Sequence, residues 1–287
     1  MARQSQELIE DINDLVSLPD IYIRVKSVLD DPESSMVDLT EVVSFDPGLC
    51  ARLLTLANSA FFGFSSKIDT IERAVNILGG QQIHDLVLAT TVADAFSKVT
   101  PNSLNMNDFW MESVHCGLLA KTLAKECGLI DADRFFVEGL LYDLGHLVLD
   151  QTEPQALASA VAEARKTAKP LYLVEREMIG CDYSRVGAAL MENWQFPGGF
   201  IEAVRHQNEP ADAPNFQLDA AILHVSVCLL RADQESFNAE SAFNTIALSA
   251  IEETGAEVEM LDEVVAEASV ALAQTYEMLF PQARKVA

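Results

Sequence analysis

The sequence is poor in basic residues and has no long apolar run. Nineteen lysines and arginines face 44 aspartates and glutamates, which gives a net charge of −25. Lysine and arginine contacts to phosphate supply most of the affinity for nucleic acid, so this balance argues against a DNA or RNA partner. No apolar stretch approaches the roughly 18 residues of a membrane span, and the first residues lack the apolar core of a signal peptide. The composition therefore predicts a soluble, cytoplasmic protein with no membrane partner.

Cysteine is scarce and irregularly spaced. The five cysteines never form a C-x-x-C pair, which favours buried free thiols over disulfides or zinc ligands. Glycine-rich phosphate loops, a G-x-S-x-G turn and a Walker lysine are also missing. These absences remove the commonest signatures of nucleotide hydrolases and serine hydrolases, and the sequence predicts no cofactor.

Apolar residues recur at helical spacing along most of the 287 residues, and strand-like alternation is scarce. Residues 97–108 are polar, contain a proline and lack periodicity, which is typical of a boundary between subdomains. We therefore predict an all-α fold, a two-lobed helical bundle. Its N-terminal lobe spans residues 1–108, its second lobe spans 109–235, and an acidic helical extension spans 236–287.

The N-terminal lobe contains a strong helix start. Asp46 at an N-cap followed by Pro47 predicts a helix, because proline loses no hydrogen bond at the first helical position. Asn58 and Ser59 stand at the far end of this helix, before an aromatic cluster that includes Phe61 and Phe62. One interpretation is a structured corner in which Asn58 hydrogen-bonds loop backbone, and the other is direct recognition of a partner. The next helical pattern ends at Gly79-Gly80.

The apolar run 136–149 carries one acid, Asp143, in its middle. A buried carboxylate needs a metal, a cation, hydrogen bonds or the mouth of a cleft. His115, His206 and His224 lie on separate predicted helices and could join Asp143 in a metal or acid–base site. However, none of them forms a close H-x-x-x-H pair, and each lies in an apolar context where a core or surface histidine is commoner.

Several motifs together resemble the HDOD family, the HD-related output domains of bacterial signalling. They occur in order from about residue 15 to about residue 230, and comprise Leu18-Pro19, Asp46-Pro47, the stretch from Leu56 to Gly63, the stretch from Ile71 to Gly79, the stretch from Gly139 to Gly145, and the stretch from Val186 to Trp194 with Pro197. The resemblance implies an all-α protein with an N-terminal helical lobe and a lobe related to the HD-domain phosphohydrolases. It does not cover the C-terminal extension.

In the HD hydrolases, a histidine, a His-Asp pair and a later aspartate hold a divalent metal that activates water. By resemblance, His115 stands at the first ligand position and Asp143 at the aspartate of the pair. Tyr142 replaces the histidine of the pair, and Ser226 falls near the later aspartate. A phenol and a hydroxyl are poor ligands for a divalent ion, so the resemblance implies a degenerate metal site.

The resemblance also implies that other residues replace further histidines found in some relatives. Tyr183 and Gln207 occupy two such positions, which leaves His206. We therefore predict no catalytic residue and no metal site, with His115, Asp143 and His206 as remnants. Asp143 is expected to accept hydrogen bonds from His115 or from backbone, and Gly145 to allow close packing of helices.

The sequence thus predicts a non-enzymatic signal-transduction output module that binds a protein partner or a small regulatory ligand. The resemblance implies a partner from a two-component or cyclic-dinucleotide pathway. The alternatives are a metal-dependent phosphohydrolase of HD type acting on a nucleotide or phosphodiester, and a cyclic-dinucleotide receptor. The residues predicted to carry structure or interaction are Asp46, Pro47, Asn58, Ser59, Phe61, Phe62, Gly79, Tyr142, Asp143, Gly145 and Trp194.

Overall fold

The structure, a computed structural model, describes residues 5–13, 18–58, 67–96, 99–232 and 237–280. These residues form helices and turns with no strand, which confirms the all-α prediction. None of the helices in these ranges is both long and apolar enough to cross a membrane. In chain order the helices are α1 (Ser5–Asn13), α2 (Asp20–Asp30), α3 (Met36–Ser44), α4 (Pro47–Ala57), α5 (Ile71–Phe96), α6 (Met106–Glu126), α7 (Asp133–Leu140), α8 (Leu144–Thr152), α9 (Pro154–Thr167), α10 (Leu171–Met178), α11 (Tyr183–Asn193), α12 (Gly198–His206), α13 (Gln217–Ala232), α14 (Ala239–Phe243), α15 (Leu248–Thr254) and α16 (Val258–Leu279), with a 3-10 turn at Pro210–Asp212.

The chain divides into two compact units. The larger unit comprises Met1–Val16 and Thr100–Ala268, and the smaller unit comprises Ser17–Val99 and Ser269–Ala287. The break near residue 99 lies inside the predicted boundary region, and two segments group differently from the predicted domain limits, which stay a prediction. The N-terminal helix α1 belongs to the larger unit because it packs on α8 and α11. The C-terminal extension is not separate, since α14, α15 and α16 as far as Ala268 also belong to the larger unit.

Within the smaller unit, α4 begins as the sequence predicts. The Asp46 carboxylate accepts a hydrogen bond from the Leu49 N–H at 2.9 Å, and Pro47 occupies the first turn. Leu49 and Leu53 turn inward and are fully buried. This apolar stripe packs α4 against α5, so the N-cap determines where a core helix starts.

The helix α5 is broken at Gly79, where the sequence predicts an end. Gly79 has φ +81° and ψ 166°, a conformation that is essentially restricted to glycine. The segments 71–78 and 80–96 are therefore two helical pieces that meet at a turn. The second piece is buried over most of its length.

The larger unit brings α8 very close to α11. A Cβ added at Gly145 would collide with the backbone carbonyl of Tyr183, so the two helices approach at a distance that only glycine permits. The sequence predicts such a close approach of helices at Gly145. Its consequence is that residues at the start of α8 face residues at the start of α11.

The polar stretch before α6 is held to α8 by Asp150. The Asp150 carboxylate accepts hydrogen bonds from the backbone N–H groups of Asn102 and Ser103, at 2.6 and 2.8 Å, and from the Ser103 hydroxyl at 2.6 Å. These bonds favour the ionised form and lower the pKa of Asp150, against the opposing effect of burial. The boundary segment is thus fastened to the larger unit.

Candidate functional site

The turn between α7 and α8 carries Tyr142 and Asp143, and it is the centre of the candidate site. Asp143 occupies the N-cap position of α8 but makes no side-chain capping bond. Its carboxylate instead contacts the Nδ1 atom of His146, one helical turn further on. The expected partners of Asp143 were His115 or backbone groups, so this part of the prediction is corrected. Spacing i,i+3 on one helix face makes the His146 contact local.

His146 is bound on its other side as well. Its Nε2 atom lies 2.8 Å from Oε1 of Glu175, which is on α10 and whose side chain is fully buried. The second oxygen of Glu175 accepts a hydrogen bond from the Tyr183 N–H at 3.0 Å. We call Asp143, His146 and Glu175 the carboxylate–imidazole bridge, because one ring joins two acids from separate helices.

The bridge holds His146 as a cation. Burial alone would lower the pKa of His146, but the charges and hydrogen bonds of Asp143 and Glu175 outweigh it and raise the pKa to about 10. Both ring nitrogens face carboxylates, which only accept hydrogen bonds, so both nitrogens carry protons. The Tyr183 ring stacks on the imidazole, with centroids 4.3 Å apart and planes 12° apart. This stacking is favourable for a cation.

Two phenols border the bridge and remain neutral. Burial, followed by the charge of Asp143, raises the pKa of Tyr142 well above its usual value. Burial also raises the pKa of Tyr183. The Tyr183 hydroxyl donates to Oδ1 of Asn208 at 3.1 Å and accepts from Arg231 at 3.0 Å. Neutral phenols held in this way are weak metal ligands.

Gln207 links this turn to α12 and α13. The fully buried side chain of Gln207 donates from Nε2 to the Tyr142 carbonyl at 2.8 Å and to the Val204 carbonyl at 3.0 Å. The backbone carbonyl of Gln207 accepts a hydrogen bond from Nδ1 of His224 at 2.7 Å. Gln207 therefore stabilises the backbone of the turn, where the resemblance implies a histidine in some relatives.

Among the described residues, the predicted metal remnants do not form a set of ligands with Asp143 that could hold a metal ion. His115 is buried on α6, one turn after Glu112, and burial together with the charge of Asp143 raises the pKa of Glu112. His206 lies half-buried on α12, and no hydrogen bond or ion pair within the described ranges joins it to Asp143. The Ser226 hydroxyl donates to the Ile222 carbonyl of its own helix at 2.8 Å.

These donors do not fit the divalent metal of the HD hydrolases. Asp143 is engaged by a cation, Tyr142 is a neutral phenol, and Ser226 is turned to its own backbone. Across the described part of the chain, no three His, Cys, Asp or Glu side chains are arranged to hold a metal ion. A metal ion at Asp143 would compete with the imidazolium for the carboxylate and would place a second positive charge beside it.

Sequence reasoning missed His146 and Glu175. An acid followed three residues later by a histidine at a helix start was a readable signal for the first contact. No comparable signal points to Glu175, because it lies 29 residues from His146 in sequence and meets it only after α10 packs on α9 and α11, which themselves pack on α8. Arg231 was missed for the same reason.

In the smaller unit, Asn58 closes a loop, as one of the two sequence interpretations predicts. Its Nδ2 atom donates to the carbonyls of Leu54 and Ile68, at 2.7 and 2.5 Å, and its Oδ1 accepts from the Ile68 N–H at 2.7 Å. We call this set the Asn58 clamp. Ser59, Phe61 and Phe62 lie outside the described residues, so their predicted roles stay predictions.

Trp194 has a structural place in the larger unit. It is buried at the C-cap of α11, and its ring lies 5.7 Å from that of Phe196. The backbone N–H of Trp194 donates a hydrogen bond to the Leu190 carbonyl at 3.0 Å. The contacts therefore support a packing role for Trp194.

Comparison with known families decides what this arrangement is. The model of the HDOD domain family matches residues 15–210, more than half of the chain. The chain belongs to the HDOD family. The match ends before α13, so the HDOD region contains the carboxylate–imidazole bridge and the Asn58 clamp, while Arg231, His224 and the C-terminal helices lie beyond it.

Solved structures share the HDOD fold over nearly the whole chain. A protein from Shewanella amazonensis SB2B, provisionally named a phosphohydrolase, is 26% identical, with a TM-score of 0.75 over 95% of this chain and 97% of its own. An HDOD domain protein of unknown function from Geobacter sulfurreducens has a TM-score of 0.74 at 20% identity, covering 96% and 98%. A protein from Marinobacter aquaeolei VT8, provisionally named for signal transduction, has a TM-score of 0.70 at 23% identity, covering 94% and 61%.

An uncharacterized protein of Treponema pallidum (strain Nichols) is 26% identical over 202 residues. The match covers 69% of this HDOD chain but only 39% of the relative. The chain thus spans well under half the length of the curated relative that it matches. In fold, the chain is therefore similar to one protein named for phosphohydrolysis and to one named for signal transduction.

Proposed function

We propose that this HDOD chain is a non-enzymatic signalling module that acts by binding a protein partner or a small regulatory ligand. The observation that carries the proposal is the engagement of both ring nitrogens of His146 by Asp143 and Glu175. The one acid that matches the HD metal motif is thereby paired with an internal cation. Charge compensation that a metal would supply comes from the protein itself.

The energetics of the carboxylate–imidazole bridge support the proposal of a non-enzymatic module. Glu175 is fully buried, and the His146 and Asp143 side chains are only 13% and 14% exposed. Removing the imidazolium from a buried carboxylate costs about 3–5 kcal/mol, because a charge is left without a partner. A divalent ion would have to offset that cost, and Tyr142 and Ser226, which by resemblance stand at two of the ligand positions, are poor ligands.

Metal content is the first test. The full chain is purified after growth with added iron, manganese and zinc, and the metal bound per chain is measured by mass spectrometry. We expect well below one metal ion per chain, both in the natural protein and in Asp143→Ala. Asp143→Ala is the matched control because it removes the acid that a metal of this family requires.

Hydrolysis is measured on the same samples with p-nitrophenyl phosphate and bis-p-nitrophenyl phosphate. We expect no turnover above buffer with any of the three metals. One metal ion per chain, together with turnover that Asp143→Ala abolishes, would replace the proposal with the phosphohydrolase alternative, whose basis is the name of the Shewanella amazonensis protein.

Ligand binding is tested by calorimetric titration with a panel of cyclic dinucleotides and mononucleotides. Saturable binding of one cyclic dinucleotide would assign the small-ligand form of the proposal. In the absence of binding, affinity purification with the full chain from its native cell tests the protein-partner form. The proposal would be contradicted if the titrations show no saturable binding and the affinity purification recovers no stoichiometric partner.

A further inference from the structure

A continuous line of hydrogen bonds connects the Tyr142–Asp143 turn to the C-terminal extension. The Gln207 side chain donates to the Tyr142 carbonyl at 2.8 Å, and the Gln207 carbonyl accepts from Nδ1 of His224 at 2.7 Å. Nε2 of His224 in turn accepts from the Ala247 N–H at 3.0 Å. The two residues of each bonded pair are at least 17 positions apart in sequence, so these hydrogen bonds form only in the folded chain.

The tautomer of His224 follows from its two partners. A backbone N–H can only donate, so Nε2 facing Ala247 must be the unprotonated acceptor. The proton therefore sits on Nδ1, where it donates to the Gln207 carbonyl. Burial lowers the pKa of His224, consistent with a neutral ring used as donor on one side and acceptor on the other.

Ala247 occupies a sensitive position, because it is the N-cap residue of α15 and has no side-chain capping bond of its own. Its carbonyl accepts hydrogen bonds from the N–H groups of Ala250 and Ile251, at 2.9 and 3.1 Å. At the other end of α15, the Cys127 thiol donates to the Thr254 carbonyl at 3.3 Å. His224 thus holds the start of α15 and Cys127 holds its end, so the placement of this short helix depends on both.

We propose that His224 couples the Tyr142–Asp143 turn to the segment 237–257, so that a change at one end alters the other. The segment lies beyond the matched HDOD region, and its position within the larger unit changes together with the conformation of the turn. A molecule that displaces α15 would loosen the turn that carries Asp143, and a ligand that rearranges the turn would release α15. This coupling does not depend on the proposed function, because it concerns only the contacts within the larger unit.

Gln207 allows the line to be cut selectively. Its side chain contacts the turn, whereas its backbone carbonyl contacts His224. Gln207→Met therefore removes the bond to the turn, together with the side-chain contacts to the Val204 carbonyl and the Tyr183 hydroxyl, and leaves the acceptor for His224. Hydrogen exchange of the full-length variant is followed by mass spectrometry on peptides that cover residues 139–147 and 247–254. We expect exchange to accelerate in both peptides, by about threefold or more at 247–254, within the range of coupling between linked buried residues.

Ser226→Ala is the matched control. Ser226 lies two residues from His224 on the same buried helix, but its hydroxyl bonds only to the Ile222 carbonyl. Exchange at both peptides should match that of the natural protein in this variant. Peptides from α9 serve as the internal reference and should be unchanged in both variants.

His224→Asn separates coupling from general loosening. Asparagine places a donor near the Nδ1 position but has no atom at the Nε2 position, so the bond with Ala247 is lost, together with the contact between Nε2 and the Cys228 sulfur at 3.6 Å. In this background, adding Gln207→Met should accelerate exchange at 139–147 without a further effect at 247–254. Equal further acceleration at 247–254 would overturn the proposal, as would unchanged exchange there in Gln207→Met alone.

If Gln207→Met does not fold, His224→Asn tests the coupling from the opposite end. We then expect hydrogen exchange to accelerate at residues 139–147, which do not include the substituted contact. No change at 139–147, or a uniform acceleration that includes α9, would overturn the proposal.

Discussion

Asn58 in the smaller unit and His146 in the larger unit each use both ends of a planar polar side chain, but Asn58 is neutral and His146 is charged. The Asn58 clamp closes ten residues of chain with an amide that donates and accepts. The carboxylate–imidazole bridge joins residues 143 and 175 with a ring that only donates. A neutral clamp loses only its hydrogen bonds when it is cut, whereas a cut bridge leaves charges buried.

The largest expected effect is therefore the loss of the bridge. His146→Ala should lower the free energy of unfolding by about 3–5 kcal/mol, because Glu175 stays buried without its cation. Urea denaturation of the full chain measures it. Adding Glu175→Gln to His146→Ala should recover part of the loss, since it removes the unpaired charge. A loss below about 1 kcal/mol in the single variant would mean that the bridge contributes little.

The charge of the bridge predicts a dependence on pH that the clamp lacks. The pKa of His146 is about 10 in the folded chain, above its ordinary value of 6.5. The folded state therefore binds more protons between these values, and the stabilisation is complete below pH 6.5 and is lost as the pH rises through about 10. The difference in unfolding free energy between the natural protein and His146→Gln should fall by up to about 1.4 kcal/mol per pH unit in this window.

Glutamine at position 146 is the matched variant because it retains a hydrogen-bonding group and does not titrate. Thermal and urea unfolding of both proteins between pH 6 and pH 10 provide the measurement. A difference that stays constant across this range would contradict a charged His146.

Cutting the neutral clamp should have a smaller effect. Asn58→Ala removes three hydrogen bonds at an exposed position, for an expected loss of about 1–2 kcal/mol. Urea denaturation at pH 6 and at pH 9 should give the same loss at both values. A loss that changes with pH would remove the contrast with the bridge.

The smallest expected effect concerns the start of α4, the helix whose opposite end carries the Asn58 clamp. Asp46→Ala removes the acceptor for the Leu49 N–H and should cost about 1 kcal/mol. Asp46→Asn retains an acceptor oxygen and should cost less. Equal losses in both variants, measured by urea denaturation, would show that the capping bond is not the source of the effect.

The local features of the fold were predictable from sequence. Helical periodicity, the Asp46-Pro47 start and the Gly79 break act over one or two turns, so their causes lie within a few residues. Asn58 was predictable as a residue that bonds loop backbone for the same reason. The grouping of α1 with the larger unit was not predictable, because nothing in its sequence indicates that it packs on α8 and α11.

The sequence by itself therefore determined the all-α class, the main helices, the family and the presence of a partly buried acid at position 143. Only the tertiary structure decided what compensates that acid. Glu175 reaches His146 from another helix, and His224 joins Gln207 to Ala247 across distant segments of the chain. The physical reason is that a buried charge or polar group must find a partner in space, and the packing of helices, not the spacing of residues, supplies it.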